Sequence, residues 1–359
     1  RRDLHRLQIV HIGKRLGLYD RKVLMQSAGD ITLDGTAALI RKIIPFTFVF
    51  EFAGAALLSI RFIPEFGVLR GIYAAVFHAI SAFCNAGFDL MGHWQPYSSM
   101  TRYADDPLVL GTVMALIVLG GIGFFVWDDI AKNQWHFRNY TLQTKVVLTT
   151  TALLLILPFL WFWLCEFVHW NGMSTGKQAL SALFQTVSPR TAGFNNVDLN
   201  QLSGGSKLLT ILLMLVGGSP SSTAGGIKTT TLAILLLALR AAFTSDHQVH
   251  CFGRRIPAQV ITRTLVVSVL YGTLFLVASM ALIQLEPVTM EEALFECASA
   301  IGTVGLTLGI TPELGAVSKG ILILLMYLGR VGGLTLVYAV SGTGKRLHYT
   351  LPEESIGIG

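Results

Sequence analysis

Charge is scarce in this sequence. Asp, Glu, Lys and Arg make up 13% of its 359 residues, about half the ~25% found in soluble domains. With 52% of the chain hydrophobic, there is ample surface to bury, and intrinsic disorder is excluded. Cysteine is scarcer still. Cys84, Cys165, Cys251 and Cys297 lie far apart with no C-x-x-C pair, which signals neither a disulfide framework nor a zinc site and leaves isolated thiols. The net charge of +6 would suggest nucleic acid only if the positive residues formed a stripe or cluster. Where the charges sit relative to the apolar runs therefore decides their meaning.

Crossing a ~30 Å hydrocarbon layer takes about 20 mostly apolar residues. Six segments qualify, at 43–60, 107–127, 146–168, 208–239, 264–285 and 319–341. Three apolar stretches, 72–84, 178–188 and 293–301, are too short to cross, and each falls between two long ones. An apolar run this short is ordinarily a buried core helix or an interfacial segment. Three at equivalent places argue for re-entrant half-helices. The start of the chain, Arg1 to Ile40, is basic and mixed and reads as cytoplasmic rather than as a secretory leader. Eighteen Lys and Arg fall in the segment 1–42, the connections 128–145 and 240–263, and the tail, against seven in the opposite loops. The richer side is expected to be cytoplasmic. The net charge then divides into +9 inside, −4 outside and +1 within the membrane, so the basic balance is a signal of topology. Lys228 and Arg330 are left inside apolar runs, with Glu51 as the expected intramembrane carboxylate.

After each short stretch comes a similar sequence: Ser81-Ala-Phe-Cys-Asn-Ala-Gly-Phe88, then Val187-Ser-Pro-Arg-Thr-Ala-Gly-Phe-Asn195, then Ser299-Ala-Ile-Gly-Thr-Val-Gly-Leu-Thr307. The central glycines, Gly87, Gly193 and Gly305, recur at a period of about 109 residues, which marks an internal repeat. All copies enter from one side, so they are parallel repeats about an axis along the membrane normal. A half-helix entering from outside brings the negative end of its dipole and unpaired carbonyls to the membrane centre. The extended segment after it can replace a cation's hydration shell with backbone carbonyls, glycine permitting the backbone conformations required. Thr303-Val304-Gly305 matches the opening of the potassium-channel filter T-V-G-Y-G. One such triplet reads as an ordinary turn; three aligned copies between spans read as a cation filter.

The run 208–239 is too long for one simple crossing, and its middle, Gly217-Gly218-Ser219-Pro220-Ser221-Ser222-Thr223-Ala224-Gly225-Gly226-Ile227-Lys228, does not sustain a helix. Small-residue helix packing needs only two such residues per interface. A flexible polar loop at this depth, its side chains satisfied by cavity water, reads as a gate. A cation buried in the membrane costs about 2.5 to 3.5 kcal/mol on the lenient insertion scale. Lys228 has the option of snorkelling to the cytoplasm. Arg330, near the middle of the last span, is a candidate electrostatic barrier below the filter. Glu51 serves equally well as a structural hydrogen-bonding group or in ion coupling.

These residues resemble the Trk/Ktr/HKT superfamily of potassium-translocating membrane subunits, most closely its KtrB branch. The resemblance is carried by Gly218 to Thr230, by Pro189-Arg-Thr-Ala-Gly-Phe-Asn195 and by Thr303-Val-Gly-Leu-Thr307, and it runs over essentially the whole chain. It implies an all-α polytopic membrane protein of parallel repeats, each a span, a re-entrant half-helix with a filter strand, and a span, around a pseudo-four-fold pore. The filter strands would be Asn85, Ala86, Gly87 and Phe88; Thr191, Ala192, Gly193 and Phe194; and Thr303, Val304, Gly305 and Leu306, with K+ bound among them. The broken segment from Gly217 to Lys228 would be the gating loop, and Arg330 the arginine that guards it.

The resemblance also implies a bacterial plasma membrane location and a homodimer of membrane subunits. That dimer would rest on a cytoplasmic ring of RCK-type subunits binding ATP or ADP, often with stimulation by Na+. No organic cofactor and no nucleic acid are expected. The corresponding divisions are a cytoplasmic segment 1–42, repeats at 43–131, 145–240 and 261–342, and a cytoplasmic tail 343–359. The family has four repeats and three are visible here; a fourth glycine one period before Gly87 would fall about twenty residues upstream of Arg1, so the first repeat is expected to be missing from the sequence given. Only one copy keeps Thr-Val-Gly, which makes four-fold carbonyl coordination imperfect.

Two other functions fit parts of the pattern. A cation symporter with Na+ or H+ coupling and alternating access needs an occluded site with carboxylates, for which Glu51 is the available residue. An intramembrane serine protease would use Ser219 or Ser221 and needs a base within hydrogen-bond reach. His78, the histidine in an apolar stretch, belongs to an outer half-helix.

Overall fold

The computed structural model describes residues 33–93, 97–134, 136–170, 172–244 and 248–332. Most of the segment expected to be cytoplasmic at the N-terminus, the far end of the last span and the tail 343–359 lie outside these residues. Eleven α-helices and one small hairpin are present among them.

Helix α1, Leu33–Phe66, contains an apolar stretch, Ile43–Phe66, of 24 residues, about 36 Å at 1.5 Å per residue. Phe48, Val49, Phe52 and Ile60 on it are exposed. A helix that shows such a face while being long enough to cross is reading a hydrocarbon solvent. Gly67, at φ +80°, turns the chain into α2, Val68–Phe83, which folds back along α1. Gly71 sits so close to this neighbour that a methyl group there would lie 2.6 Å from the Ile63 Cα. Helix α3, Pro107–Ile122, begins with Asp106 as N-cap, its carboxylate accepting from the Leu108 and Val109 amides, and with proline at the first helical position.

The expected single span 107–127 does not continue straight. Gly123, at φ +99°, ends α3, and α4, Phe124–Asn133, leaves at 91°. The cause is Gly120-Gly121-Ile122-Gly123, where three glycines remove the side-chain packing that holds a helix straight.

Next come α5, Leu142–Trp161, which runs into a π-helical turn, and the short α6, Thr175–Val187. The expected 208–239 run is two helices, α7, Gly204–Leu215, and α8, Thr229–Phe243. The hairpin pairs β1, His250–Cys251, with β2, Arg254–Arg255. The last three helices are α9, Ala258–Leu285, then α10, Met290–Gly302, with a Thr289/Glu292 capping box, and α11, Ala316–Val331.

A long helix, a short one, an extended segment and a further helix thus follow one another three times. One apolar core joins α1, α2 and α3 to Phe184 and Phe194; a second joins α6, α7, α9, α10 and α11. Both wrap the ends of the short helices. At the opposite ends of those helices, ion pairs Arg61–Asp106, Arg102–Glu65, Lys177–Asp105 and Lys207–Glu291 tie the loops together. Each pair keeps one partner open to solvent and is worth about 0 to 1 kcal/mol, so the apolar cores, not these pairs, hold the bundle.

Candidate ion pathway

Each short helix ends in the same local structure. The residue two before each central glycine is left-handed, at Asn85 (φ 51°), Thr191 (φ 67°) and Thr303 (φ 53°), and so is the glycine itself, at Gly87 (φ 71°), Gly193 (φ 86°) and Gly305 (φ 93°). Two left-handed residues separated by one ordinary residue turn the chain sharply out of the helix. A serine one turn back fixes the bend. Ala86, Ala192 and Val304 donate their amides to the carbonyls of Ser81, Ser188 and Ser299. The Ser81 and Ser188 hydroxyls donate to Phe88 O and Phe194 O, and Ser299 Oγ accepts from the Gly305 amide. Non-glycine residues at positive φ are uncommon and cost about 1 to 3 kcal/mol; three in register mark a built site.

The three segments converge. A methyl group at Gly87 would lie 2.3 Å from the Ala192 carbonyl oxygen, and one at Gly193 would lie 2.1 Å from the Val304 carbonyl oxygen. Each segment thus presses on a carbonyl of the next. At Gly305, among the described residues, no atom lies within 4 Å of the equivalent point. Asn85 and Thr191 also meet directly, the amide lying 3.3 Å from Thr191 Oγ1 in either amide orientation. Phe194 and Leu306 are buried, whereas Phe88 is exposed.

Below these segments lies the chain between α7 and α8. Protein contacts reach its backbone and the hydroxyls of Ser219, Ser222 and Thr223. Its base is closed by Gly217 N to Ile227 O, Ile227 N to Leu215 O and Thr229 N to Gly218 O, at 2.8, 3.2 and 3.0 Å. Ser219 and Thr229 share a hydroxyl contact of 3.0 Å, and Ser222 Oγ donates to Ser219 O. Ser221 and Gly226 take positive φ to make the turns.

The loop touches all three repeats. Thr223 Oγ1 donates to the Phe83 carbonyl at the end of α2 (3.0 Å). A methyl group at Gly217 would lie 3.0 Å from Thr191 Cγ2, and one at Gly225 2.0 Å from Thr303 Oγ1. On the far side, the α3–α4 bend receives it: Ser219 N donates to Gly121 O and Phe124 N to Ser221 O. Sequence reading missed this partner. The Gly-Gly pair at 120–121, like those at 217–218 and 332–333, was the available signal.

Both cations of the apolar runs bind this loop. Lys228 does not snorkel; its Nζ donates to Ala224 O at 2.7 Å. Arg330 Nη1, from α11, donates to Thr223 O at 2.6 Å. Two cations thus fasten two carbonyls of one loop, and their charge stands directly beneath the convergent segments. Glu51 lies 4.0 Å from Cys84 Sγ, at the first segment.

Three charges depart from their expected places. Arg190, counted with the outer loops, is buried, lines a small cavity with Asn85, Gly121 and Gly218, and its Nε has no partner. Glu166 and Glu296 are buried carboxylates beyond Glu51. Glu166 accepts from Trp170 Nε1 and from Ser203 N and Oγ, which anchors the start of α7.

The family described as TrkH, cation transport protein, matches residues 7–344. This chain belongs to that family. It is therefore a helical, multi-pass membrane transport protein and not an enzyme. The TrkH-family chain is 40% identical over 357 residues to the potassium/sodium uptake protein NtpJ of Enterococcus hirae, covering 96% of this chain and 77% of that one. It is 37% identical to the Ktr system potassium uptake protein B of Vibrio alginolyticus, covering 97% and 76%. The corresponding protein of Bacillus subtilis is 36% identical, covering 94% and 75%. Among solved structures, the potassium transporter TrkH from Vibrio parahaemolyticus has the same fold, with a TM-score of 0.71 at 20% identity, covering 88% of this chain and 66% of that one.

Proposed function

We propose that this protein carries K+ into the cell through a gated, channel-like pore. One observation supports the reading above all: three left-handed backbone segments, at Asn85 to Phe88, Thr191 to Phe194 and Thr303 to Leu306, meet with glycine against carbonyl. Backbone carbonyls gathered at the ends of half-helices are the chemistry that strips and replaces a monovalent cation's water. The relatives named as potassium uptake proteins support K+ as the ion, and the potassium/sodium uptake relative supports Na+ as a second permeant or activating ion.

The three repeats form part of a four-membered ring, the open side of Gly305 being where a further copy would close it. The 217–228 loop is the gate beneath the filter, and Arg330 holds it shut by its bond to Thr223 O. The protein sits in a bacterial plasma membrane with its short helices entering from outside. It works as a homodimer under an RCK-type subunit ring that reads ATP and ADP; here the support is the family alone.

The test is rubidium uptake into proteoliposomes with Na+ as competitor. Gly193→Ser adds a side chain where a methyl already meets Val304 O. The K+ over Na+ ratio should fall by about tenfold, in line with ~1.4 kcal/mol for a misplaced polar contact. An unaltered ratio in folded protein removes Gly193 from the filter. Varying Na+ and proton gradients separates a symporter, whose reversal potential would follow the coupling ion.

A further inference from the structure

Each short helix carries a polar residue three positions before the serine that fixes its bend: His78 before Ser81, Gln185 before Ser188 and Glu296 before Ser299. All three are buried. Phenylalanine precedes each one, so the helices share the frame Phe-polar-x-x-Ser. What the polar group holds differs between them.

His78 Nε2 accepts from the Leu90 amide at 3.2 Å, and Nδ1 lies 2.7 Å from Ala74 O. An amide only donates and a carbonyl only accepts, so the ring is fixed as the neutral tautomer with hydrogen on Nδ1. Leu90 lies two residues beyond Phe88, where the first segment leaves the convergence. Glu296 does the corresponding work in the third repeat. Its Oε1 accepts from Thr311 Oγ1, which lies 3.0 Å from Thr307 Oγ1, and Thr307 Oγ1 accepts from the Gly309 amide at 2.9 Å. Thr307 directly follows Leu306. The other carboxyl oxygen of Glu296, Oε2, is buried without a partner. Gln185 turns away instead, donating to Thr210 Oγ1 of α7.

We propose that His78 and Glu296 are positioning residues that pin the outer ends of two filter strands and thereby set the discrimination between K+ and Na+. This rests on the filter reading above. Neither side chain needs to touch the ion. His78 holds the backbone after the first strand directly and Glu296 holds that after the third through Thr311 and Thr307, and a strand free at its outer end accommodates the smaller ion. The first strand has a proton-sensitive pin, because an imidazolium no longer accepts from Leu90 N–H. Asp89 is the charged side chain acting on His78; Phe62 and Phe77 pack against its ring in T-shaped contacts, and Tyr103, bonded to Glu65, lies beyond Phe62.

The full chain in proteoliposomes is assayed for rubidium uptake against Na+ competition, with monodispersity in gel filtration as the check on folding. H78A and E296A should lower the K+ over Na+ ratio about fivefold or more, the expected effect of a buried donor losing its acceptor. H78Q and E296Q, which keep an acceptor at similar reach and copy the residue natural to the second repeat, should restore the ratio to within about twofold. Lowering the external pH from about 7.5 to 4.5, past the lower side of the ordinary histidine range because burial favours the uncharged ring, should reduce the ratio in the parent but not in H78Q. Folded alanine variants that keep the parent ratio while Gly193→Ser lowers it would overturn the proposal and leave the filter intact. An unchanged Gly193→Ser would remove the filter reading and this proposal with it. If the alanine variants fail to fold, the glutamine pair decides: an H78Q that keeps the parent's pH dependence refutes the pin.

Discussion

Arg330 donates to a single carbonyl, that of Thr223, yet the position of that carbonyl gives the bond its weight. Thr223 also reaches Phe83 O through its hydroxyl, so the guanidinium and the end of the first short helix are joined through one residue. A charge-assisted hydrogen bond contributes about 1.5 to 3 kcal/mol, enough to move a gate equilibrium roughly ten- to a hundredfold. Arg330→Gln should therefore raise basal rubidium flux at least tenfold in ATP-free proteoliposomes, and a fall in flux would mean that the arginine supports the fold instead.

Residues also mark where linear reading ends. Arg190 has three neighbours in sequence that look like loop, and counting charges by position put it in water; the chain instead turns inward at Pro189 and buries it. Glu296 looks like the polar end of a short helix until Thr311 returns to meet it from fifteen residues away. Contacts of that kind carry no local pattern.

Among the elements, the broken segment between α7 and α8 was fully legible, because proline, four glycines and four hydroxyls in so short a run leave no helical alternative. The break at Gly123 was not, because glycines inside an apolar run cost only about 1 kcal/mol each and leave hydropathy unchanged. The two breaks belong together, since the bend supplies the carbonyls of Gly120 and Gly121 that hold the loop. Deleting Ser219 to Gly225 should free the pathway and raise basal flux severalfold, as removal of a barrier of ~1 kcal/mol or more would; unchanged uptake by folded protein would count against gating.

A second element-level test concerns the outer link between α9 and α11. The Ser318 hydroxyl, then the Gly315 amide, hold the Glu286 carboxyl below its usual range. A lowered folded value stabilises above the ordinary pKa and is lost as pH falls through the lowered one. The protection of the Gly315 amide, its exchange rate relative to that of an unstructured amide at the same pH, should hold from neutral pH down through the ordinary carboxylate range and fall only below it; a loss of protection between about pH 7 and 5 would contradict the assignment.

For the whole molecule, composition and loop charge were enough to predict a helical membrane protein. Which segment presses on which needed the structure, because a period in sequence states recurrence and not contact. Orientation is open to direct test. Cys251, in the hairpin between α8 and α9, is half-buried, and burial pushes its thiol up, so labelling is best done under mildly alkaline conditions. A membrane-impermeant maleimide should modify Cys251 only from the cytoplasmic side; labelling of intact cells would invert the topology.

The loop beneath the filter meets Phe83, Thr191 and Thr303, one residue from each repeat. If the loop is the gate proposed above, an element that leans on all three of these repeats would work as a coincidence detector. A shift of any one repeat, from a neighbouring subunit or from an ion arriving above, loosens one support only, and release requires agreement among them. Such a gate tolerates independent jitter of its walls while staying responsive to a concerted movement, and this favours regulators that act on the bundle as a body rather than on the pore itself.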